Sequence, residues 1–259
     1  MTCTALKAEP RAWRARVAAC LLAATASLSA AADCKGIVFL TFDTGHLEPA
    51  SAIADILDKH GVRATFFLAN EKTKRGDGSL EASWAPLWRR LADAGHAFGS
   101  HTWRHWYFSS DGNDGRVRYA NRNGPGAEWL DEKALCEELR RPEAAFREMT
   151  GRGFDGLWRA PGGRTTPLAL KHAQACGFQH VGWSPAGFSG DELPADKFPG
   201  DRLIAQQLRD IRDGDVLVWH LGIWSRKEPL WPQLDRLIGG LKARGLCFAR
   251  LPDDRRWAR

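Results

Sequence analysis

A chain of 259 residues with 44% apolar content can bury one substantial core, and a single α/β barrel suits that length as well as two small domains. Half of the formal charge of +6 sits in the first 32 residues, where Lys7, Arg11, Arg14 and Arg16 face only Glu9. The rest carries neither a basic run nor an RNA-binding aromatic motif, so nucleic acid is a poor candidate partner.

In chain order, the first feature is a basic region at 11–16, then an apolar stretch at 17–28 and Ala30-Ala31-Ala32 before Asp33. This pattern predicts a secretion signal over 1–32 and a mature domain over 33–259, exported to the periplasm or beyond, with no stable membrane span after cleavage. Four cysteines remain: Cys34, Cys136, Cys176 and Cys247. They allow three pairings, and four reduced, buried thiols are the alternative. Cys34 opens the first strand and Cys247 the last, so closure of the sheet favours Cys34–Cys247 and, by elimination, Cys136–Cys176.

The run 37–42 of β-branched and aromatic residues predicts a buried parallel strand ending at Asp43. Helix is expected over 48–60, stopped by Gly61, then a strand over 62–68, a polar loop over 70–83, a helix over 84–94 and a strand over 96–100. Composition then turns to Ser, Asp, Gly, Asn and Arg from 107 to 128, read as a substrate-facing loop or lid, or a disordered surface loop. Helical spacing resumes over 130–149, where Pro142 should end or kink the helix unless it starts a second one. Strands follow at 156–158 and 178–183, with a helix at 166–176, a loop over 184–200, a helix at 202–213, a strand at 215–219, a helix at 230–244 and a closing strand at 247–251. Repeated alternation with about seven strands implies a parallel sheet with helical crossovers, in which loops after the strands carry the chemistry.

Polar groups gather just past those strands. Asp43 is read as the working carboxylate, its alternative being the cap of the next helix. His101 and His105, four apart at a strand end, can converge on one cation. Arg159 precedes Ala-Pro-Gly-Gly, a stiff turn suited to orienting a carboxylate, with a surface ion pair as the alternative. His220 ends a strand and is the natural proton donor, unless it is a core histidine. Twelve tryptophans stand against two tyrosines. Trp103, Trp106, Trp158, Trp183, Trp219 and Trp224 lie in or beside these motifs; flat rings in a cleft suit sugars, although any one serves equally well as core.

These blocks, in order from about 35 to 251, resemble those of the NodB-homology polysaccharide deacetylases, carbohydrate esterase family 4. The family pattern Thr-Phe-Asp-Asp-Gly is met here by Thr41-Phe42-Asp43-Thr44-Gly45. The resemblance implies a single-domain α/β fold, a distorted (β/α)7 barrel, and an exported hydrolase removing N-acetyl or O-acetyl groups from a cell-envelope or extracellular polysaccharide. By the same resemblance Asp43 is the general base, His101 and His105 ligands to a divalent metal, with zinc expected, Arg159 the residue orienting the base, and His220 the general acid. Trp183 would wall the acetyl pocket, with Pro161, Gly162, Trp103 and Asp191 facing the substrate.

One position departs from the pattern. Thr44 stands where the family has its third metal ligand, a carboxylate, and a hydroxyl is a weaker, neutral substitute. His46 or Glu48 could replace it, two histidines and water could hold the metal, or the site could work without one. Asp191 is the nearest candidate for the acid expected beside His220. Two other readings keep the fold: a catalytically weak carbohydrate-binding protein, and a metal-independent hydrolase of small amides.

Overall fold

The computed structural model describes residues 34–122 and 124–258; the segment read as a secretion signal lies outside the described residues. In chain order the elements are β1 (Gly36–Asp43), α1 (Ala50–His60), β2 (Thr65–Leu68), α2 (Ala85–Asp93), β3 (Ala97–Ser100), β4 (Tyr107–Asp111), β5 (Val117–Ala120) and β6 (Ala127–Leu130). There follow α3 (Glu132–Thr150), β7 (Leu157–Trp158), α4 (Pro167–Ala175), β8 (Gln179–His180), α5 (Gly200–Asp210), β9 (Val216–His220), α6 (Leu234–Ala243) and β10 (Leu246–Phe248).

Seven of these strands form one curled parallel sheet. β1 is its axis, pairing along its first half with β10 and along its second with β2 and β9. From β2 the sheet continues through β3 and β7 to β8. Beyond β8 the chain returns to the opposite edge: Ser184 donates its backbone N–H to Val216 O at 3.0 Å, and Phe188 pairs with Val218 in parallel register. The (β/α)7 expectation holds, with β8 much shorter than the six residues assigned to it.

Side-chain alternation sorts each strand into two faces. Val38, Leu40 and Phe42 pack outward with α1, α2 and α6 in the main core, while Phe39 faces inward with Phe67, Leu157, Val181, Val216 and Leu251. Two residues on from Phe39, in the inward register, stand Thr41 and then Asp43. His220 lies four residues past Val216, and Arg159 two past Leu157. The barrel interior is thus apolar at its base and polar at the rim where the strands end. Cys34 and Cys247, brought together by the pairing of β1 with β10, form a disulfide with Cα atoms 5.6 Å apart; Cys136 of α3 and Cys176 after α4 form the second, at 5.7 Å.

Two expectations need correction. The polar stretch 107–128 is neither loop nor lid but a three-stranded antiparallel sheet, β4–β5–β6, extending to Leu130. Its inward positions, Phe108, Val117, Tyr119 and Leu130, pack on Leu135, Leu139 and Trp158, and its polar residues are merely the solvent face of the ribbon. Pro142 does not break α3, which runs on through it. The lost N–H costs about 3 kcal/mol in an isolated helix, but Pro142 is buried in a 19-residue helix held by Leu135, Leu139 and Phe146 on the same buried face.

Candidate active site

Asp43 lies at the C-terminal end of the strand axis, only 3% exposed. Its Oδ1 accepts from the Arg159 guanidinium at 2.8 Å, and its Oδ2 is 3.5 Å from Nε2 of His101. Register places His220 beside it in the ladder. Burial alone would raise the carboxyl's pKa; Arg159, His101 and His220 together outweigh burial and hold it below the usual carboxylate range, so Asp43 is ionised at neutral pH.

Arg159 is fully buried, and every side of its guanidinium is used. It donates to Asp43, to Thr41 Oγ1 at 2.7 Å, to Val181 O at 3.1 Å and to Gly182 O at 3.0 Å, and lies over the Phe67 ring. Burial lowers its pKa while Asp43 opposes that, so the two groups keep each other charged. The turn after it brings in the aromatic wall. Gly162, at φ +61°, takes a conformation costly for other residues, and a Cβ there would lie 2.7 Å from Tyr107 Cζ. Pro161 is buried. Trp183 stacks near Phe188, its indole closing on Gly163 and standing 5.8 Å from the Arg159 guanidinium carbon.

The imidazole of His220 is fixed by Asp191. One carboxylate oxygen accepts the His220 backbone N–H at 2.8 Å and the other lies 2.9 Å from Nδ1. Burial disfavours the imidazolium, but Asp191, Asp43 and Glu192 outweigh it and raise the pKa to about 9. His220 is therefore a cation at neutral pH, with a proton to give from Nε2. Both oxygens of Asp191 bond to His220, which places this carboxylate as the acid expected beside that imidazole.

His101 is 1% exposed; its Nδ1 lies 2.8 Å from the Arg159 carbonyl, leaving Nε2 turned to Asp43. Burial lowers its pKa to about 4, with Asp43 and Glu71 acting in the opposite direction, so the ring is neutral above that pH. The His105 ring is 4.8 Å from it, centroid to centroid. Thr102 and His105 both take left-handed backbone, at φ 64° and 56°. That tight turn is braced from outside: Glu138 of α3 accepts from Trp103 N, Arg104 N and Arg104 Nε, and Tyr119 of β5 donates to Thr102 Oγ1. The antiparallel ribbon thus serves as a buttress for the histidine turn.

Outer ties of this kind fix the tautomer of a metal-ligating imidazole, and neutral nitrogen is the binding form. Two imidazoles beside a carboxylate suit a divalent cation such as zinc, and His101 and His105 are the residues that would hold it. Among the described residues, no three of His, Cys, Asp and Glu are grouped at metal-ligand spacing. Thr44 is buried with its Oγ1 accepting the Ala69 N–H at 3.2 Å. The expected stand-ins, His46 and Glu48, follow the β9 side instead. At Gly45 (φ +143°) the chain presses against the Gly222 carbonyl, after which His46 N donates to Gly222 O and Leu47 N to Leu221 O. His46 Nδ1 accepts from Glu48 N, and its ring meets Trp224 edge-on.

Those residues line a neighbouring cleft of about 550 Å³ that opens onto His220 and Asp191, with Lys74, Trp224 and Trp231 on its walls. Trp224, 57% exposed, is its open aromatic surface. Trp103, expected to face substrate, packs on the main core beneath the Arg141 guanidinium. Two site residues carry no role in the sequence reading: Thr41, part of the Asp43 motif, shares the face of Asp43 by its spacing of two, and Glu71 comes three residues after β2, on the rim where the strands end.

Residues 30–181 match the family model described as polysaccharide deacetylase. A peptidoglycan-N-acetylglucosamine deacetylase of Bacillus cereus is 26% identical over 219 residues, 84% of this chain and 68% of that one. A chitooligosaccharide deacetylase of Azorhizobium caulinodans is 24% identical over 228 residues, 83% and 92% of the two chains. Among solved structures, a family 4 carbohydrate esterase from Streptomyces lividans superposes with a TM-score of 0.61 at 22% identity, covering 84% of this chain and 94% of that one, a likeness of fold. The chain belongs to the polysaccharide deacetylase family, carbohydrate esterase family 4, hydrolases whose fold it shares.

Proposed function

We propose that this protein removes N-acetyl groups from an acetylated cell-envelope or extracellular polysaccharide, and that residues 1–32 direct its export. The observation that carries the reading is the placement of two held groups: the Asp43 carboxylate bonded by Arg159 and the His220 imidazole bonded by Asp191, on adjacent strands of one rim. Asp43 takes a proton from water as its oxygen bonds to the acetyl carbon. The tetrahedral adduct then collapses with cleavage of the C–N bond, and His220 gives its proton to the departing nitrogen, leaving acetate and a free amine. Arg159 keeps Asp43 charged and aimed. Trp183 walls off the methyl side, and Trp224 offers a flat face to the adjoining sugar. A divalent cation held by His101 and His105 would polarise the carbonyl and favour ionisation of water.

The test is acetate release from N-acetylglucosamine oligomers and from peptidoglycan, with and without thorough chelation, alongside the metal content of the purified protein. Release that chelation abolishes and zinc restores supports the reading. Sugar binding without release supports a carbohydrate-binding role, and release indifferent to chelation supports metal-independent amide hydrolysis.

A further inference from the structure

The loop after β2 brings a carboxylate to the histidine turn. Oε1 of Glu71 lies 3.3 Å from Nδ1 of His105, with the glutamate side chain 20% exposed. Its backbone is pinned on both sides: Glu71 N donates to Ser79 Oγ at 3.0 Å, Ser79 N donates to Glu71 O at 2.8 Å, and Asn70 N donates to Trp103 O at 2.9 Å, joining this loop to the turn that carries His105. The segment begins at Ala69, whose N–H is accepted by Thr44. The hydroxyl that stands in the place of an acid therefore anchors the loop that brings another acid to the site.

We propose that Glu71 is the positioning carboxylate of the cation site: it takes up the Nδ1–H of His105, turns Nε2 of that ring toward the cation, and returns the negative charge that Thr44 lacks. Each imidazole then has an oxygen behind its Nδ1: the Arg159 carbonyl, hydrogen-bonded to His101 at 2.8 Å, and the Glu71 carboxylate, an ion-pair contact 3.3 Å from His105. A carboxylate behind an imidazole fixes its tautomer and raises its basicity as a ligand, and losing such a partner costs 10- to 100-fold in metal affinity. Asp43 faces His101 through Oδ2, but its Oδ1 and much of its charge are engaged by Arg159.

The inference rests on the reading of His101 and His105 as metal ligands, and the experiment separates the two. Full-length protein is stripped by chelation, checked for fold by circular dichroism, and titrated with Zn²⁺ against a chromophoric chelator and with Co²⁺ by its visible d–d absorption. Glu71→Gln is expected to weaken both ions by about 10- to 100-fold while leaving the Co²⁺ band in place, since the coordinated atoms are unchanged. Glu71→Asp should recover part of the affinity. In a Thr44→Asp background, where the charge is supplied directly, the loss from Glu71→Gln should shrink. Wild-type affinity in Glu71→Gln overturns the role of Glu71 alone, and a shifted Co²⁺ band overturns it in favour of direct ligation. A wild-type protein that binds neither ion overturns both the inference and the metal reading beneath it.

Discussion

Arg159→Met removes four hydrogen bonds and one charge while keeping an unbranched apolar stem in the barrel. Asp43 is left as a carboxylate 3% exposed, with the Thr41 hydroxyl, Val181 O and Gly182 O losing their donor. Removing one partner of a buried pair costs about 3–5 kcal/mol, which for a domain of this size lowers Tm by roughly 6–20 °C. Adding Asp43→Leu removes the stranded charge, so the double variant should regain most of that loss while remaining inactive. The sign of the pH dependence gives an independent check. In the wild type the folded pKa of Asp43 is depressed, so its contribution is present above the unfolded pKa of about 3.8 and lost as pH falls through the folded value. In Arg159→Met the folded pKa is raised by burial, and stability instead declines as pH rises above about 4. Urea unfolding of chelated protein with disulfides intact, at pH 4 to 8, measures both effects. A loss under about 1 kcal/mol, or a pH slope unchanged from wild type, would refute the claim that Arg159 is the largest of the charges that hold Asp43 ionised.

The same reasoning extends to three other sites. With His220 as the acid, its raised pKa of about 9 predicts an alkaline limb of kcat/KM near that pH, and Asp191→Asn should move the limb to lower pH, read from a pH–rate profile between 6 and 10; an unmoved limb would dissociate Asp191 from the proton donor. Wild-type stability should correspondingly lose the His220 contribution as pH rises from 6.5 through about 9, since the folded pKa is the higher one. Trp224→Ala, at a 57% exposed position, should leave Tm within about 1 °C and raise KM for oligosaccharides severalfold with little change in kcat; equal KM would remove it from the sugar path. Serine replacement of Cys34 and Cys247, 213 residues apart, should cost about 5 kcal/mol by chain entropy, against about 4 kcal/mol for Cys136 and Cys176, 40 apart, in denaturant titrations; the reverse order would point to native-state contacts instead.

What could be read from the sequence was the content of each strand and the group at its end. Asp43, Arg159 and His220 were visible because a buried parallel strand is a continuous apolar run, and the titratable residue that ends it stands at the rim. The ribbon β4–β6 was not visible, because only alternate residues of an antiparallel edge sheet need be apolar: Phe108, Val117, Tyr119 and Leu130 are scattered among residues that belong in water. Pro142 misled for a related reason, since local cost was visible and the packing that offsets it was not.

The place of Thr44 shows the limit of sequence proximity. His46 and Glu48 were natural substitutes for a missing acid at Thr44 because they are near it along the chain. A loop's direction, however, is set by which neighbouring strand end accepts its backbone N–H groups, and the carbonyls of Leu221 and Gly222 draw residues 46 and 47 toward β9. Glu71 is 27 positions from Thr44, yet its loop is tied to Thr44 through Ala69 and to the histidine turn through Asn70. In a parallel barrel each strand delivers one loop to a common rim. The loop after β2, which lies between β1 and β3, therefore reaches both the Thr44 end of β1 and the histidine turn after β3.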